Sequence, residues 1–171
     1  HRGMAVREIR VFGDPVLRTV CEPVDEIDAG VRAMVADLTD TVAFDGRAGL
    51  ASTQIGYTQR AFSLYIDGEV SYSINPELIE VAGEPEEMME GCLSVPDLWF
   101  PVLRHPRATV RGIDLDGNEI VVEGEGLLAQ ALQHECDHLD GHLYIEGLEP
   151  DLKREALRAI RAADWTRPPV E

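Results

Sequence analysis

Between Val31 and Phe44 the apolar residues Val31, Met34, Val35, Leu38 and Val42 recur at intervals of three and four, the spacing of one helical face. Asp28 stands where an N-cap belongs and Gly46 follows as a stop. The pattern then changes. Two β-rich runs, Ala61 to Ile66 and Val70 to Ile74, flank Asp67-Gly68, and two more, Ala108 to Leu115 and Glu119 to Val122, flank Asp116-Gly117. Asp-Gly in such a place predicts a tight hairpin in which both central residues take positive φ. A second helix is expected from about Gly126 to Leu139, stopped at Gly141. A third opens at Asp151 and runs through about Ala163, with Leu152, Ala156, Leu157 and Ile160 as its buried stripe and Pro168-Pro169 beyond its end. The acidic cluster Glu84-Pro85-Glu86-Glu87 reads as a loop inside the domain. Strands grouped between helices, rather than alternating with them one for one, predict an α+β fold.

Composition narrows the class. At 171 residues, with 44% apolar and 27% charged residues, the chain is expected to fold as one globular domain. Fifteen basic residues against 32 acidic ones give a net charge of −17, which argues against a nucleic-acid binder, DNA included. No apolar run approaches the roughly 20 residues of a membrane span, and the start lacks a signal peptide's apolar stretch. His1 to Gly3 read as the leftover of an expression tag, with the domain expected over residues 4–171. Cys21, Cys92 and Cys136, an odd number without disulfide spacing, point to a reducing, cytoplasmic setting.

The chemistry concentrates in Gln133-His134-Glu135-Cys136-Asp137-His138. His134 and His138, four apart on the second predicted helix, put two imidazoles on one face within reach of one ion. Glu135, offset from them, suits a proton carrier beside a metal. Cys136 lies about 200° round the helix from His134 and is expected in the core. The third ligand stays open on the residues alone. Glu155, with Glu146 and Glu149 behind it, would complete a peptidase-like site, whereas Cys92 would supply a thiolate from upstream.

The stretches GLASTQIG (49–56), EGCLSVP (90–96) and QHECDHLDG (133–141) resemble, in order and spacing, the three signature segments of the peptide deformylases. The early GDPVLR (13–18) and the Asp114-Leu115-Asp116-Gly117 hairpin resemble that family as well, so the likeness runs from Val11 to about Ile160. It implies antiparallel sheets packed around a central metal-binding HExxH helix, with an N-terminal and a C-terminal helix. It also implies one divalent metal on Cys92, His134 and His138, with Glu135 as general base. The Gln54 side chain and the Leu93 backbone N–H would steady the oxyanion as the formyl group leaves an N-formylmethionyl peptide as formate. Gly49 would let the backbone approach the substrate, and Ala48, Met88, Gly91, Leu127, Gln130 and Ala131 would line the methionine pocket. Fe(2+) is implied in the cell, with Zn(2+) often bound after aerobic purification, and the ligand set also suits Ni(2+) and Co(2+). A Glu90–Arg104 pair is expected behind the site.

Where the family's first motif usually has glycine and alanine, this chain has Arg47 and Ser52, with Gly46 one position early. Arginine lacks glycine's access to positive φ, so the entry loop is expected to follow another path. Such a change could also leave a metal-binding homologue without activity, a binding module. Gln130 puts an amide where an apolar residue is usual, and is expected either to turn outward or to make a wider, wetter pocket. Trp99 and Phe100 are placed equally well in the cleft or in packing. The charge, too, is uneven. Residues 1–150 carry ten arginines and no lysine against 28 acids, whereas residues 151–171 have a small basic excess. Arg154, Arg158 and Arg161 fall on one face of the last helix, where the family resemblance implies weak ribosome docking; a solvated outer face is the simpler reading.

Overall fold

The first helix forms on its predicted stripe. In the computed structural model α1 spans Ala29–Val42, with the Asp28 carboxylate accepting the Val31 backbone N–H, and Val31, Met34, Val35, Leu38 and Val42 are buried. The structure describes residues 6–166, so His1 to Gly3 and Pro168-Pro169 lie outside the described residues. The other helices are α2 (Gly126–Leu139) and α3 (Pro150–Ala162). The strands are β1 (Gly49–Ala51), β2 (Ala61–Ile66), β3 (Glu69–Ala82), β4 (Glu86–Cys92), β5 (Val95–Arg104), β6 (Arg107–Ile113) and β7 (Glu119–Glu125). Five of them form an antiparallel sheet in the order β1-β2-β3-β6-β7, and β4-β5 make a separate two-stranded ribbon. The fold is α+β. Among the described residues no helix is long and apolar enough to cross a membrane.

β2 shows how the layers are held. Ala61, Phe62, Ser63 and Leu64 are all buried, although a strand with one wet face would alternate. Phe62 and Leu64 pack with Leu132, Cys136 and Leu139 of α2. Ala61 packs with the α1 stripe, and Ser63 Oγ donates to the Leu38 carbonyl of α1 at 2.8 Å. The sheet is therefore covered on both sides at this strand. A third apolar cluster joins Val95, Phe100 and Val102 of β5 to Leu143, Tyr144, Ile145 and Leu148, and to Ala156 and Ile160 of α3. Phe100 is thus a packing residue.

Three expectations are corrected. Asp67 and Gly68 both take positive φ, 53° and 78°, but in the second hairpin Gly117 does so and Asp116 does not. There the loop covers residues 114–118, and Asp114 Oδ1 closes it by accepting the N–H groups of Asp116 and Asn118. β3 continues past Ile74 to Ala82 through register shifts near Asn75-Pro76. Asn75, at φ 54°, clasps Val24 with both ends of its amide, which holds the strand through the interruption. Lastly, Glu86 and Glu87 begin β4, so only Glu84-Pro85 of the acidic cluster is loop.

Candidate metal centre

The β4–β5 ribbon turns so tightly that Cys92 pairs directly with Val95, which sets the Cys92 thiol at its tip. Facing it, α2 presents His134 and His138 from successive turns. Cys92 Sγ lies 3.3 Å from His138 Nε2, and the two Nε2 atoms are 3.1 Å apart. All three ligand atoms fall within 4.8 Å of one another. His134 Nδ1 donates to Glu90 Oε2 at 2.6 Å, which leaves its Nε2 lone pair directed inward. Two imidazole nitrogens and a thiol converging in a buried space satisfy one another poorly, but they suit a borderline divalent cation with one position left open. Glu155 is exposed on α3 and outside this group, and Glu146 spends its carboxylate on the Leu143 N–H.

The groups behind the ligands are ordered by charge. Arg104 donates from Nε to Glu90 Oε1 at 2.9 Å and from Nη2 to Oε2 at 2.5 Å, the expected pair in bidentate form. Its Nη1 also reaches Asp137 Oδ2 at 2.8 Å. Burial alone would raise the Glu90 carboxyl, but hydrogen bonds and charge from Arg104 and His134 outweigh it and hold it at about 2. Glu90 is therefore an anion, fixing both the tautomer and the ring orientation of His134. Glu135 has weaker support, from the charge of His134 and Arg104 alone. Burial pushes its carboxyl up to about 7, and among the described residues its Oε1 has no hydrogen-bond partner. Cys136 is in the core, its thiol driven up to about 12 by burial.

Gly49 also makes room for Glu135, since a Cβ there would stand 2.6 Å from Glu135 Oε2 and 3.0 Å from its Cγ and Cδ. Gln54, buried in a short 3-10 turn, accepts the Ala51 N–H on Oε1. Its Nε2 donates to Ser94 Oγ at 3.0 Å and lies 3.6 Å from Cys92 Sγ. The N-terminal segment straps both loops down, Arg10 N–H to the Gln54 carbonyl and Phe12 N–H to the Ser94 carbonyl.

A cleft of about 590 Å³ opens on these groups. Ala48, Gly49, Gln54, Gly91, Leu93, Leu127, Gln130 and Ala131 line it, and Met89 lines it where Met88 does not. Strand alternation explains the difference, since Met88 shares the inner face of β4 with Glu90 and pairs with Val102 of β5. Trp99 also lines the cleft, its ring lying over Gly91, where a Cβ would meet it at 2.7 Å. Gln130 does not turn outward; it lines the cleft. Its Nε2 donates to the Met89 carbonyl and to Glu90 Oε1.

The altered first motif is accommodated locally. Gly46, not Arg47, takes the positive φ, at 87°. The Arg47 guanidinium donates to the Thr41 carbonyl at the end of α1 and lies 4.7 Å over the Phe44 ring. Ser52 Oγ donates to the Gln59 carbonyl at 2.6 Å. Sequence reasoning missed Asp137, Gln133 and Ser94. Asp137 carried a signal, being an acid inside the HExxH segment with an arginine to answer it; Gln133, which holds both the N–H and the carbonyl of His105, carried none.

A family model for polypeptide deformylase matches residues 6–154. The peptide deformylase of Acidothermus cellulolyticus is 46% identical over 95% of this chain and 89% of that protein. Among solved structures, a peptide deformylase from Legionella pneumophila superposes with a TM-score of 0.87 at 35% identity, covering 96% of this chain and 99% of the other. A peptide deformylase from Ehrlichia chaffeensis in complex with actinonin gives 0.84 at 30% identity, covering 92% and 97%.

Proposed function

We propose, because the chain belongs to the polypeptide deformylase family, that Cys92, His134, His138 and Glu135 perform that family's reaction here. The chain is a metal-dependent hydrolase that removes the N-formyl group from the formylmethionine of nascent polypeptides, releasing formate. The observation that carries the residue assignment is the convergence of one thiol and two imidazoles within 4.8 Å, beside a buried carboxyl at about 7.

α2 is, in this reading, the central metal-binding helix. One divalent metal would be held by Cys92, His134 and His138, with Fe(2+) as the proposed cellular ion and Zn(2+), Ni(2+) or Co(2+) able to take its place. When bound, such an ion supplies Lewis acidity, lowering the pKa of a coordinated water from 15.7 toward about 7. The remaining work belongs to the protein. Glu135 takes the proton of the attacking water and returns it to the leaving amine. Gln54 keeps one N–H on Ser94, and the other, on the Cys92 side, is available to the developing oxyanion together with the Leu93 N–H. Each such donor contributes about 3–4 kcal/mol to the transition state. The methionine side chain enters the cleft between Ala48, Leu127, Gln130, Ala131 and Met89. Formate release from formyl-Met-Ala-Ser by Fe(II)- or Ni(II)-loaded protein, purified without oxygen, is the direct assay. A rate no higher than that of the metal-free protein would reject the assignment.

Formylated nascent chains place the enzyme in the cytoplasm, near ribosomes. Lys153, Arg154, Arg158 and Arg161 of α3 are the surface we assign to weak docking there, although Arg154 is also paired with Asp151. Salt-sensitive co-sedimentation with ribosomes is expected, and a triple Arg154/Arg158/Arg161→Glu variant that sediments equally well would dismiss the docking.

A further inference from the structure

Glu90 is 3% exposed, and each of its two oxygens takes two donors. Oε2 accepts from Arg104 Nη2 and His134 Nδ1, and Oε1 accepts from Arg104 Nε at 2.9 Å and Gln130 Nε2 at 3.1 Å. An ionised carboxylate has about four acceptor sites, and here all four are filled by protein. Gln130 Nε2 also donates to the Met89 carbonyl at 2.9 Å, so one amide ties α2 to β4 one turn before His134. Gln130 itself lines the cleft. An apolar residue at this position would leave one lone pair of a buried anion unmatched, and that anion is the group that orients His134.

We propose that Gln130 is a positioning residue: through Glu90 it holds His134 in its metal-binding orientation, and it links the wall of the side-chain cleft to the ligand set. The inference rests on the reading of His134 as a metal ligand. It differs from a packing role in what it requires. Packing needs a side chain of this size, whereas positioning needs an N–H donor at this point.

Two near-isosteric substitutions separate these roles. Gln130→Leu keeps the bulk and loses both hydrogen bonds. Gln130→Glu keeps the shape but sets an acceptor against the Glu90 carboxylate. With Ni(II)-loaded protein in excess chelator, both variants are expected to release metal at least about 10-fold faster than the parent, the lower end of the effect of losing an outer partner of a metal ligand. The Co(II)-substituted forms should show altered absorption bands, reporting a changed ligand field, while circular dichroism and the melting of the metal-free proteins confirm that both variants fold. If Gln130→Leu and Gln130→Glu both release Ni(II) at the parental rate with unchanged Co(II) bands, the positioning role is overturned. If Gln130→Glu alone matches the parent, donation to Glu90 is irrelevant and the proposal fails equally. Should the parent bind no metal at Cys92, His134 and His138, it is the site assignment that fails, which the parent's own metal content reveals before any variant is compared.

Discussion

Replacing Glu135 by Gln is expected to lower kcat for formyl-Met-Ala-Ser by at least about 1,000-fold while leaving metal content and KM near those of the parent. The amide fills the same volume but cannot accept a proton at neutral pH, and general acid–base catalysis by a positioned side chain is worth about 10² to 10⁴ in rate. A loss confined to kcat would mark an interaction made in the transition state rather than in substrate binding. Burial pushes the metal-free carboxyl up to about 7, and a cation bound beside it would favour the ionised form that accepts a proton. Its position is set from outside its own helix, by the space left at Gly49 of β1. Gly49→Ala should therefore follow Glu135→Gln in direction, by about 100-fold, since a misplacement of about 1 Å at a reacting group costs that much. Formate release by Glu135→Gln within 10-fold of the parent would remove Glu135 from the mechanism.

Replacing Cys92 by Ala should act differently, on metal content first. In the proposed site the thiol would be one of three ligands; it comes from the ribbon, whereas both imidazoles come from α2. Partners one step removed from the metal are already worth 10- to 100-fold in affinity, so loss of a ligand should exceed about 100-fold. The variant should lose its metal on dialysis and with it all formate release, with its fold retained. Cys92→Ala that kept one metal per chain, together with metal loss in Glu155→Ala, would restore a peptidase-like ligand set. The structure gives no support to that set, because Glu155 is exposed on α3. The two variants thus fail in distinguishable ways, one emptied and one loaded but inert.

Much of this architecture could be read from the chain because it depends on local periodicity. The α1 stripe, the Asp28 cap and the helix of His134 and His138 are written at spacings of three and four. The β4–β5 ribbon was not legible. Its outer face carries Met89, Trp99 and Leu103, all largely exposed, so alternation of apolar and polar residues gave no guide to which side faces inward. The reason for Gly49 was hidden for another cause. It lies in a contact with Glu135, far away in sequence, and no pattern within either segment records it. Arg47 was conspicuous as a departure, but its compensation at Thr41 and Phe44 depends on where α1 ends in space.

The placement of the ligands on two separate elements has a mechanical result. A bound ion would act as a cross-link, closing the chain between residues 92 and 134 and fastening the tip of the ribbon to the helix. Such a clasp restricts the unfolded chain as well as joining the folded one, so the loaded protein should melt above the empty one by an amount that grows with free metal. Oxidation of the Cys92 sulfur would open the clasp, making resistance to heat a record of the enzyme's exposure to oxygen.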